Sequence, residues 1–220
     1  MKEIWRREHK GRLAQVFYHK GKHKFFLDTR KLVEYDKINN ILLSDNGERY
    51  ALNVTHNGEE FIYLDGIEGP HYKEVSNMTF SPDGKHFAYF ATNDDDMRFA
   101  VIDGKEGKAY EGTTDFLYSS DGRLSYRVMI HGYWCMVIDD KEMAGLYDWV
   151  SPCVFGPNGH YAYKVRNGDK WCVVLDGIEG RWYKTEISGI HFRKILHLIH
   201  SYKENEEDTF KCFVKDDILG

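Results

Sequence analysis

The chain has 220 residues, of which 42% are hydrophobic and 30% charged, and its net charge at pH 7 is −5. No segment approaches ~18 consecutive apolar residues, which excludes a membrane-spanning helix. The mild negative charge and the even spread of basic residues argue against a nucleic-acid-binding surface. The charged N-terminus lacks the apolar region of a secretory signal, so we expect a cytoplasmic protein.

A repeat of about 37 residues runs through the sequence. A small residue within an alternating stretch recurs five times, each copy 37 residues after the last. Aspartates that end an apolar run, and tyrosines further on, keep nearly the same period, and repeats of this length indicate solenoids or propellers. The small residues are Ala14, Ala51, Ala88, Ser125 and Ala162, the aspartates Asp28, Asp65, Asp103, Asp139 and Asp176, and the tyrosines Tyr35, Tyr72, Tyr110, Tyr147 and Tyr183.

Each repeat predicts four short strands. The first is a short apolar stretch, such as residues 78–80, and a turn such as Ser-Pro-Asp-Gly follows it. The second alternates large and small residues with a period of two, and the third is a nearly continuous apolar run, which indicates burial on both faces. The third strand ends in a hairpin turn such as the Asp-Gly-Ile-Glu-Gly of residues 65–69, and the fourth carries the tyrosine.

Four antiparallel strands per repeat, with no helix-period segment, predict an all-β protein and specifically a β-propeller. We expect one domain, residues 1–220, of six blades, with a five-bladed ring or an open fragment of a longer array as alternatives. The sixth repeat lacks its fourth strand, and residues 1–4 begin at the close of a first strand. The predicted repeats are approximately 4–40, 41–77, 78–115, 116–152, 153–189 and 190–220.

The stretch from Phe80 to Tyr89, Phe-Ser-Pro-Asp-Gly-Lys-His-Phe-Ala-Tyr, resembles the repeat of TolB-type, WD-repeat-like bacterial propellers. Only this repeat matches the motif in full. The stretch from Trp171 to Tyr183 is similar, more loosely, to tryptophan-glycine repeats, with Cys172 in place of the glycine. The TolB resemblance implies a propeller that binds partners without catalysing a reaction. Several such propellers are periplasmic, but we carry over the fold and not the location.

The regularly repeated residues are expected to be structural. The aspartates recur once per blade, so they are spread out and cannot supply the 6–8 converging oxygens of a calcium site. We therefore expect them to form turns, the tyrosines to pack between blades, and the glutamates of the Asp-Gly-x-Glu-Gly turns to be solvated. Three cysteines occupy one slot of successive repeats, too far apart for disulfides, and should be reduced and buried. They are Cys135, Cys172 and Cys212.

Neither a metal site nor a cofactor site is predicted. His191, His197 and His200 are close in sequence, but strand residues three apart point to opposite faces, which disfavours zinc ligation by the last two. The sequence has no nucleophile elbow and no P-loop. We therefore expect a chain that binds no cofactor and is not an enzyme.

Binding residues are expected where the repeat is broken. Two hairpin tips between second and third strands are acidic, and Trp149, in a predicted loop between repeats, has no aromatic counterpart elsewhere. Exposed aromatic residues are typical interface anchors. The alternative for Trp149 is a side chain that fills a local gap in the packing. Acidic tips can steer a charged partner or simply be solvated. The candidate residues are Trp149, Tyr133, His131, Asp94, Asp95, Asp96, Glu206 and Glu207.

Three functions are compatible with these patterns. The first is a non-catalytic scaffold that binds a protein or peptide on the face carrying Trp149 and the acidic tips. The second is a lectin-like or small-molecule-binding propeller, which should show equivalent aromatic pockets in several blades. The third is an enzyme whose site lies in an axial channel, where side chains of different blades could converge. The uniqueness of Trp149 favours the first.

Overall fold

A computed structural model describes the backbone of residues 1–193, 197–204 and 207–213, and the side chains of residues 1–187 and 189–192. Nearly all regular structure in these residues is β-strand, with one 3-10 turn at Pro157–Gly159. Within the described part of the chain there is no helix long and apolar enough to cross a membrane. The chain divides into two compact units, Met1–Tyr110 with Ser120–Gly122, and Glu111–Ser119 with Arg123–Gly220.

The first unit consists of three antiparallel sheets, each with four strands in chain order. Sheet one contains β1 (Lys2–His9), β2 (Arg12–His19), β3 (Lys22–Leu27) and β4 (Arg30–Tyr35). Sheet two contains β5 (Lys37–Leu43), β6 (Tyr50–His56), β7 (Glu59–Leu64) and β8 (Ile67–Tyr72). Sheet three contains β9 (Glu74–Phe80), β10 (Phe87–Thr92), β11 (Arg98–Ile102) and β12 (Lys105–Glu106).

The second unit also contains three antiparallel sheets. Sheet four contains β13 (Gly112–Tyr118), β14 (Leu124–Ile130), β15 (Tyr133–Ile138) and β16 (Lys141–Glu142). Sheet five contains β17 (Trp149–Val150), β18 (Val154–Phe155), β19 (Tyr161–Asn167), β20 (Lys170–Leu175) and β21 (Ile178–Glu179). Sheet six contains, within the described residues, β22 (Ile187–Arg193), β23 (His197–Glu204) and β24 (Glu207–Phe213).

Sheet five has an extra strand because its first strand is broken. β17 and β18 both pair with β19, and Pro152 lies between them. Proline has no N–H to donate to a neighbouring strand, and it is tolerated in sheets only at edges or irregularities. The two fragments therefore correspond to the single first strand of the other sheets.

The all-β prediction and the predicted four-strand repeat are confirmed, and such repeated sheets fit a β-propeller. The predicted repeat boundaries fall a few residues after the observed start of each sheet. The first strands contain a bulge, at which Asn77 and Asp115 adopt φ of 50° and 48°. A bulge interrupts the alternation of side chains, so sequence patterns reveal only the second half of these strands. β1 also contains a bulge, between Glu3 and Trp5. It is a full strand that begins at Lys2, whereas the sequence predicted only the end of a strand there.

The repeated small residues are completely buried, as their slot in the sequence predicts. Ala51 is 0% exposed and lies in a core that includes Phe80 and Phe87 of the next sheet. Ser125 and Ala162 are equally buried in the second unit. A larger side chain at this slot would separate neighbouring sheets, since protein cores are close-packed.

The repeated aspartates close turns, as predicted. Asp65 follows β7 with φ of 50°, and Gly66 follows with φ of 100°, the left-handed pair that a tight hairpin requires. One Asp65 oxygen accepts a hydrogen bond from the Tyr50 backbone N–H, and the other accepts one from the Arg49 side chain. The same two contacts recur at the other four aspartates, with His86 and His160 taking the place of arginine in sheets three and five.

The repeated tyrosines pack between sheets, also as predicted, but the turn glutamates are not merely solvated. The Tyr72 hydroxyl donates to Glu106 Oε1 of the next sheet at 2.8 Å, and its ring packs edge-on against Phe99. Tyr35 and Tyr147 donate to turn glutamates in the same way. The turn glutamates are exposed, as predicted, and they also accept a hydrogen bond from the tyrosine of the preceding repeat, about 34 positions away.

The described cysteines are reduced and buried. Cys135, Cys153 and Cys172 form no disulfide, and each is at most 3% exposed. Burial raises the pKa of the Cys153 and Cys172 thiols to about 12. The side chain of Cys212 lies outside the described residues. For the other cysteines the predicted structural role is confirmed.

Candidate functional site

Three of the predicted binding residues lie in the second unit. Trp149 is half-buried in β17, so it belongs to a strand and not to the predicted loop. Tyr133 begins β15 and is 47% exposed. His131 forms the tight turn before Tyr133, with φ of 51°, and its side chain is 88% exposed. β15 packs against β17, which brings the strands of Tyr133 and Trp149 together.

The acidic tip of sheet three lies in the first unit. Asp94 and Asp95 are exposed, whereas Asp96 forms an ion pair with Lys73 at 2.6 Å. Asn93 Oδ1 accepts hydrogen bonds from the backbone N–H groups of Asp95 and Met97 and fixes the shape of the loop. Of the second acidic tip, Glu206 lies outside the described residues. Glu207 begins β24, but its side chain is also outside them.

The surroundings of Trp149 are aromatic and basic. Trp149 lies opposite Arg166 on β19, and Arg166 lies opposite Trp171 on β20. Residues directly opposite each other on neighbouring strands share a face, so the three side chains form a row across sheet five. The rings of Trp149 and Trp171 meet edge-on, with centroids 5.4 Å apart. Lys164, two residues before Arg166, shares the same face.

The two cations of this row are held at the tryptophan rings. Lys164 Nζ lies 5.8 Å from the Trp149 ring centroid and 6.0 Å from that of Trp171. The Arg166 guanidinium lies 5.7 Å from the Trp171 centroid. Such cation–π contacts contribute ~0.5–2 kcal/mol, more where water is excluded. We call Trp149, Lys164, Arg166 and Trp171 the tryptophan–cation cluster.

Lys164 also has a structural role that repeats along the chain. Its Nζ donates to the Ile187 backbone oxygen of sheet six at 2.8 Å. Asn53 and Arg127 occupy the same slot in sheets two and four, and they donate to the Val75 and Val150 oxygens of the sheets that follow. These contacts join the first strands of sheets three, five and six to the sheet that precedes each of them.

The charges of the cluster are incompletely neutralised. Burial lowers the pKa of the Lys164 amine, and the charge of Glu186 offsets this only in part. Arg166 Nε is buried without a hydrogen-bond partner, and no carboxylate of the described residues forms an ion pair with Arg166. Arg127, by contrast, is ion-paired with Asp115. Sequence analysis found Trp149 and missed both cations, because isolated basic residues in a strand give no pattern.

Other features of the described residues are weaker candidates. Within the residues that the structure describes, no group of three or more His, Cys, Asp or Glu side chains is placed to hold a metal ion. A cavity of about 120 Å³ in the first unit is lined by Trp5, Val16, His23, Asn39 and four further residues. It is smaller than the ~300–1,000 Å³ clefts that usually hold small ligands. His23 Nδ1 there accepts a hydrogen bond from the Ile38 backbone N–H.

Comparison with known proteins gives structural neighbours only. No protein-family model matches the sequence. No curated protein matches it either.

Solved structures with a similar fold include TolB from Acinetobacter baumannii and other proteins with β-propeller domains. TolB has a TM-score of 0.42 and 16% identity over 74% of this chain, which spans about half (48%) of the TolB chain. The β-propeller domain of the trilobed protease from Pyrococcus furiosus has a TM-score of 0.49 and 10% identity, over 96% of this chain and 82% of that domain. Prolyl oligopeptidase B from Galerina marginata has a TM-score of 0.46 and 11% identity, over 99% of this chain and 42% of its own.

Proposed function

We propose that the chain is a non-catalytic β-propeller of six blades that binds a protein or peptide partner through its second unit. The contact surface contains Trp149, Tyr133 and His131. The acidic residues Asp94 and Asp95 in the first unit are proposed to steer a charged partner toward the protein, because exposed charges act at long range. Asp96 contributes less to this steering, since Lys73 neutralises it.

The observation that carries the proposal is the exposure of large aromatic side chains at adjacent strand ends. Tyr133 is 47% exposed at the start of β15, and Trp149 is half-buried on β17, the strand packed against it. Aromatic residues that combine large area with a polar group are enriched in binding hot spots. Trp149 is well suited to be such a hot spot. Its ring already packs on one side against Trp171, so little side-chain entropy is lost on binding.

We expect Tyr133→Ala to weaken partner binding about tenfold or more, because truncating a hot-spot aromatic removes a large contact area. The chain is used to capture partners from a lysate of its source organism. Each captured protein is then purified and titrated against the wild type, Tyr133→Ala and Trp149→Ala. Tyr133 is the primary variant since its exposed side chain contributes little to the core, and circular dichroism confirms that each variant is folded.

The matched control is Ile178→Ala. Ile178 is 50% exposed on β21, the outermost strand of sheet five, so its removal should leave the affinity unchanged. Equal affinities of wild type, Tyr133→Ala and Trp149→Ala for a purified partner would place the contact surface elsewhere. The absence of any partner that survives purification and titration would refute the protein-binding function.

A further inference from the structure

The strongest unexplained feature is the tryptophan–cation cluster. Buried arginine side chains are normally hydrogen-bonded, since an unpaired buried donor costs about 1–3 kcal/mol and more when it is charged. Arg166 Nε is buried without a partner, as is Arg127 Nε, but Arg127 has an ion pair with Asp115 and Arg166 has none among the described residues. Lys164 Nζ donates to one backbone oxygen among these residues. Among the described residues, neither cation therefore forms an ion pair with a carboxylate, although the charge of Glu186 acts on Lys164.

We propose, building on the function above, that the tryptophan–cation cluster binds a carboxylate of an acidic peptide segment. The carboxylate is held by Arg166 and Lys164, and apolar atoms next to it pack on Trp149 and Trp171. A guanidinium presents two parallel N–H groups that match the two oxygens of a carboxylate. Trp149 belongs both to this cluster and to the contact surface proposed above, so the cluster is part of that surface.

A carboxylate fits this site better than a phosphate. Phosphate sites are commonly built from free backbone N–H groups at helix N-termini or in glycine-rich loops. Here the residues of the cluster lie in β17, β19 and β20, which pair with one another through their backbones. The site thus offers side-chain donors and flat aromatic surfaces. That combination suits a planar anion carried on an apolar segment.

The net charge of the site also points to an acidic partner. Arg127 is already paired with Asp115, so within the described part of the chain Lys164 and Arg166 are the cations of this face that have no ion pair. Their low exposure strengthens any attraction to an anion, because the effective dielectric constant is lower than in water. A basic segment would be repelled from this site, so the positive charge that Asp94 and Asp95 are proposed to attract lies on another part of the partner. A neutral segment would leave both charges without a counter-charge.

The test starts from a random-peptide display library selected on the purified chain. Selected peptides are synthesised, and their affinities are measured by fluorescence anisotropy. We expect the peptides to contain Asp, Glu or a free C-terminus. Replacing the essential carboxylate by its amide should weaken binding about tenfold or more, the loss expected for a charged hydrogen bond of ~1.5–3 kcal/mol. Arg166→Gln should cause a similar loss, and Arg166→Lys, which keeps the charge but not the paired donors, a smaller one.

Arg181→Gln is the matched control, since Arg181 is an exposed arginine of the same unit that lies over the Tyr183 ring. Thermal unfolding of Arg166→Gln and Lys164→Met shows whether these variants are folded, and Arg166→Lys keeps the test informative if Arg166→Gln is not. Inorganic phosphate and acetate are added as competitors of a selected peptide. Stronger competition by phosphate would overturn the assignment to a carboxylate.

The two proposals fail in different ways. Selected peptides that bind wild type and Arg166→Gln equally, yet are lost with Tyr133→Ala, would overturn the carboxylate site and leave the peptide-binding function intact. If the library yields no binder and the lysate yields no partner, both proposals fail.

Discussion

Arg49, just before β6, and Arg166, in β19, differ in how many hydrogen bonds their side chains form. Arg49 donates to Asp65 and to the backbone oxygens of Gly84 and Lys85, and its guanidinium lies 5.2 Å from the Phe80 ring centroid. It joins two sheets and leaves little of its hydrogen-bonding capacity unused. Arg166 has the ring contact, but its side chain has no hydrogen-bond partner among the described residues. The contrast between a structural arginine and an unsatisfied one is why we assign a ligand to the second.

The inter-sheet tyrosines provide a direct test at the residue scale. We expect Tyr72→Phe to lower the free energy of unfolding by about 1 kcal/mol, the typical net value of one hydrogen bond. Burial, together with the Glu106 carboxylate, raises the pKa of the Tyr72 hydroxyl, so it remains a donor at all ordinary pH values. Urea denaturation measures the change.

Tyr133→Phe is the control for this substitution. The Tyr133 side chain is 47% exposed, so loss of its hydroxyl should leave stability unchanged. Equal stabilities of Tyr72→Phe and Tyr133→Phe would mean that packing alone joins sheets two and three, without a contribution from the hydrogen bond to Glu106.

The hairpin tips between second and third strands are held by a residue that lies just before the sheet, and the identity of this residue differs from sheet to sheet. Glu111 accepts hydrogen bonds from the N–H groups of His131 and Gly132, and Asp148 accepts one from Gly168. In sheet three the residue before the sheet is basic and the tip is acidic: Lys73 forms an ion pair with Asp96 at the tip. The acidic tip therefore has a structural component as well as its proposed role in steering.

The turns after the third strands differ in how well their second residue tolerates a left-handed backbone conformation. Gly66 occupies the second position of its turn, whereas Thr29 occupies that position in sheet one with φ of 70°. A β-branched residue in the left-handed region costs ~1–2 kcal/mol. We therefore expect Thr29→Gly to raise the free energy of unfolding by about 1 kcal/mol, after allowance for the greater entropy of unfolded glycine, as measured by urea denaturation.

Gly66→Ala is the reciprocal change, and it should destabilise the chain because φ is 100° there. Thr29 is exposed and makes no hydrogen bond among the described contacts, so its removal has no competing cost. A Thr29→Gly variant less stable than wild type would show that the threonine contributes an interaction that outweighs its backbone strain.

At the scale of the whole molecule, thiol chemistry distinguishes the two units. All cysteines of the sequence belong to the second unit, and the thiolate is the reactive form. Since burial raises the pKa of Cys153 and Cys172 to about 12, we expect their labelling by a maleimide at pH 8 to be about 100-fold slower than in urea. Mass spectrometry of a Cys212→Ser variant follows the reaction.

Labelling of this variant should accelerate only when the second unit opens, so the rate reports the stability of that unit separately from the first. Rapid labelling in native buffer, at the rate of the urea-unfolded chain, would contradict the burial of these thiols. A variant of the first unit, such as Thr29→Gly, serves as a control for coupling between the units, because it changes no residue near a cysteine.

Local patterns determined the repeated parts of the fold. Alternation around the small residue of each repeat, the apolar third strand and the Asp-Gly turns predicted the strands and the hairpins, because each depends on a few neighbouring residues. The aspartates were also assigned correctly, since their partners lie within the same repeat. The bulges and the full first strands could not be predicted in this way, because a bulge breaks the periodicity on which the prediction depends.

Contacts between repeats were decided only by the tertiary structure. The glutamate that accepts the Tyr72 hydrogen bond is Glu106, in the next repeat. The candidate site shows the same division: Trp149 stands out in the sequence as a residue without counterparts, whereas Lys164 and Arg166 are ordinary basic residues of a strand. Strand pairing places them beside two tryptophans, and packing removes Arg166 Nε from water without giving it a hydrogen-bond partner among the residues that the structure describes. Burial and pairing, which depend on residues distant in sequence, are what make these two cations a candidate site.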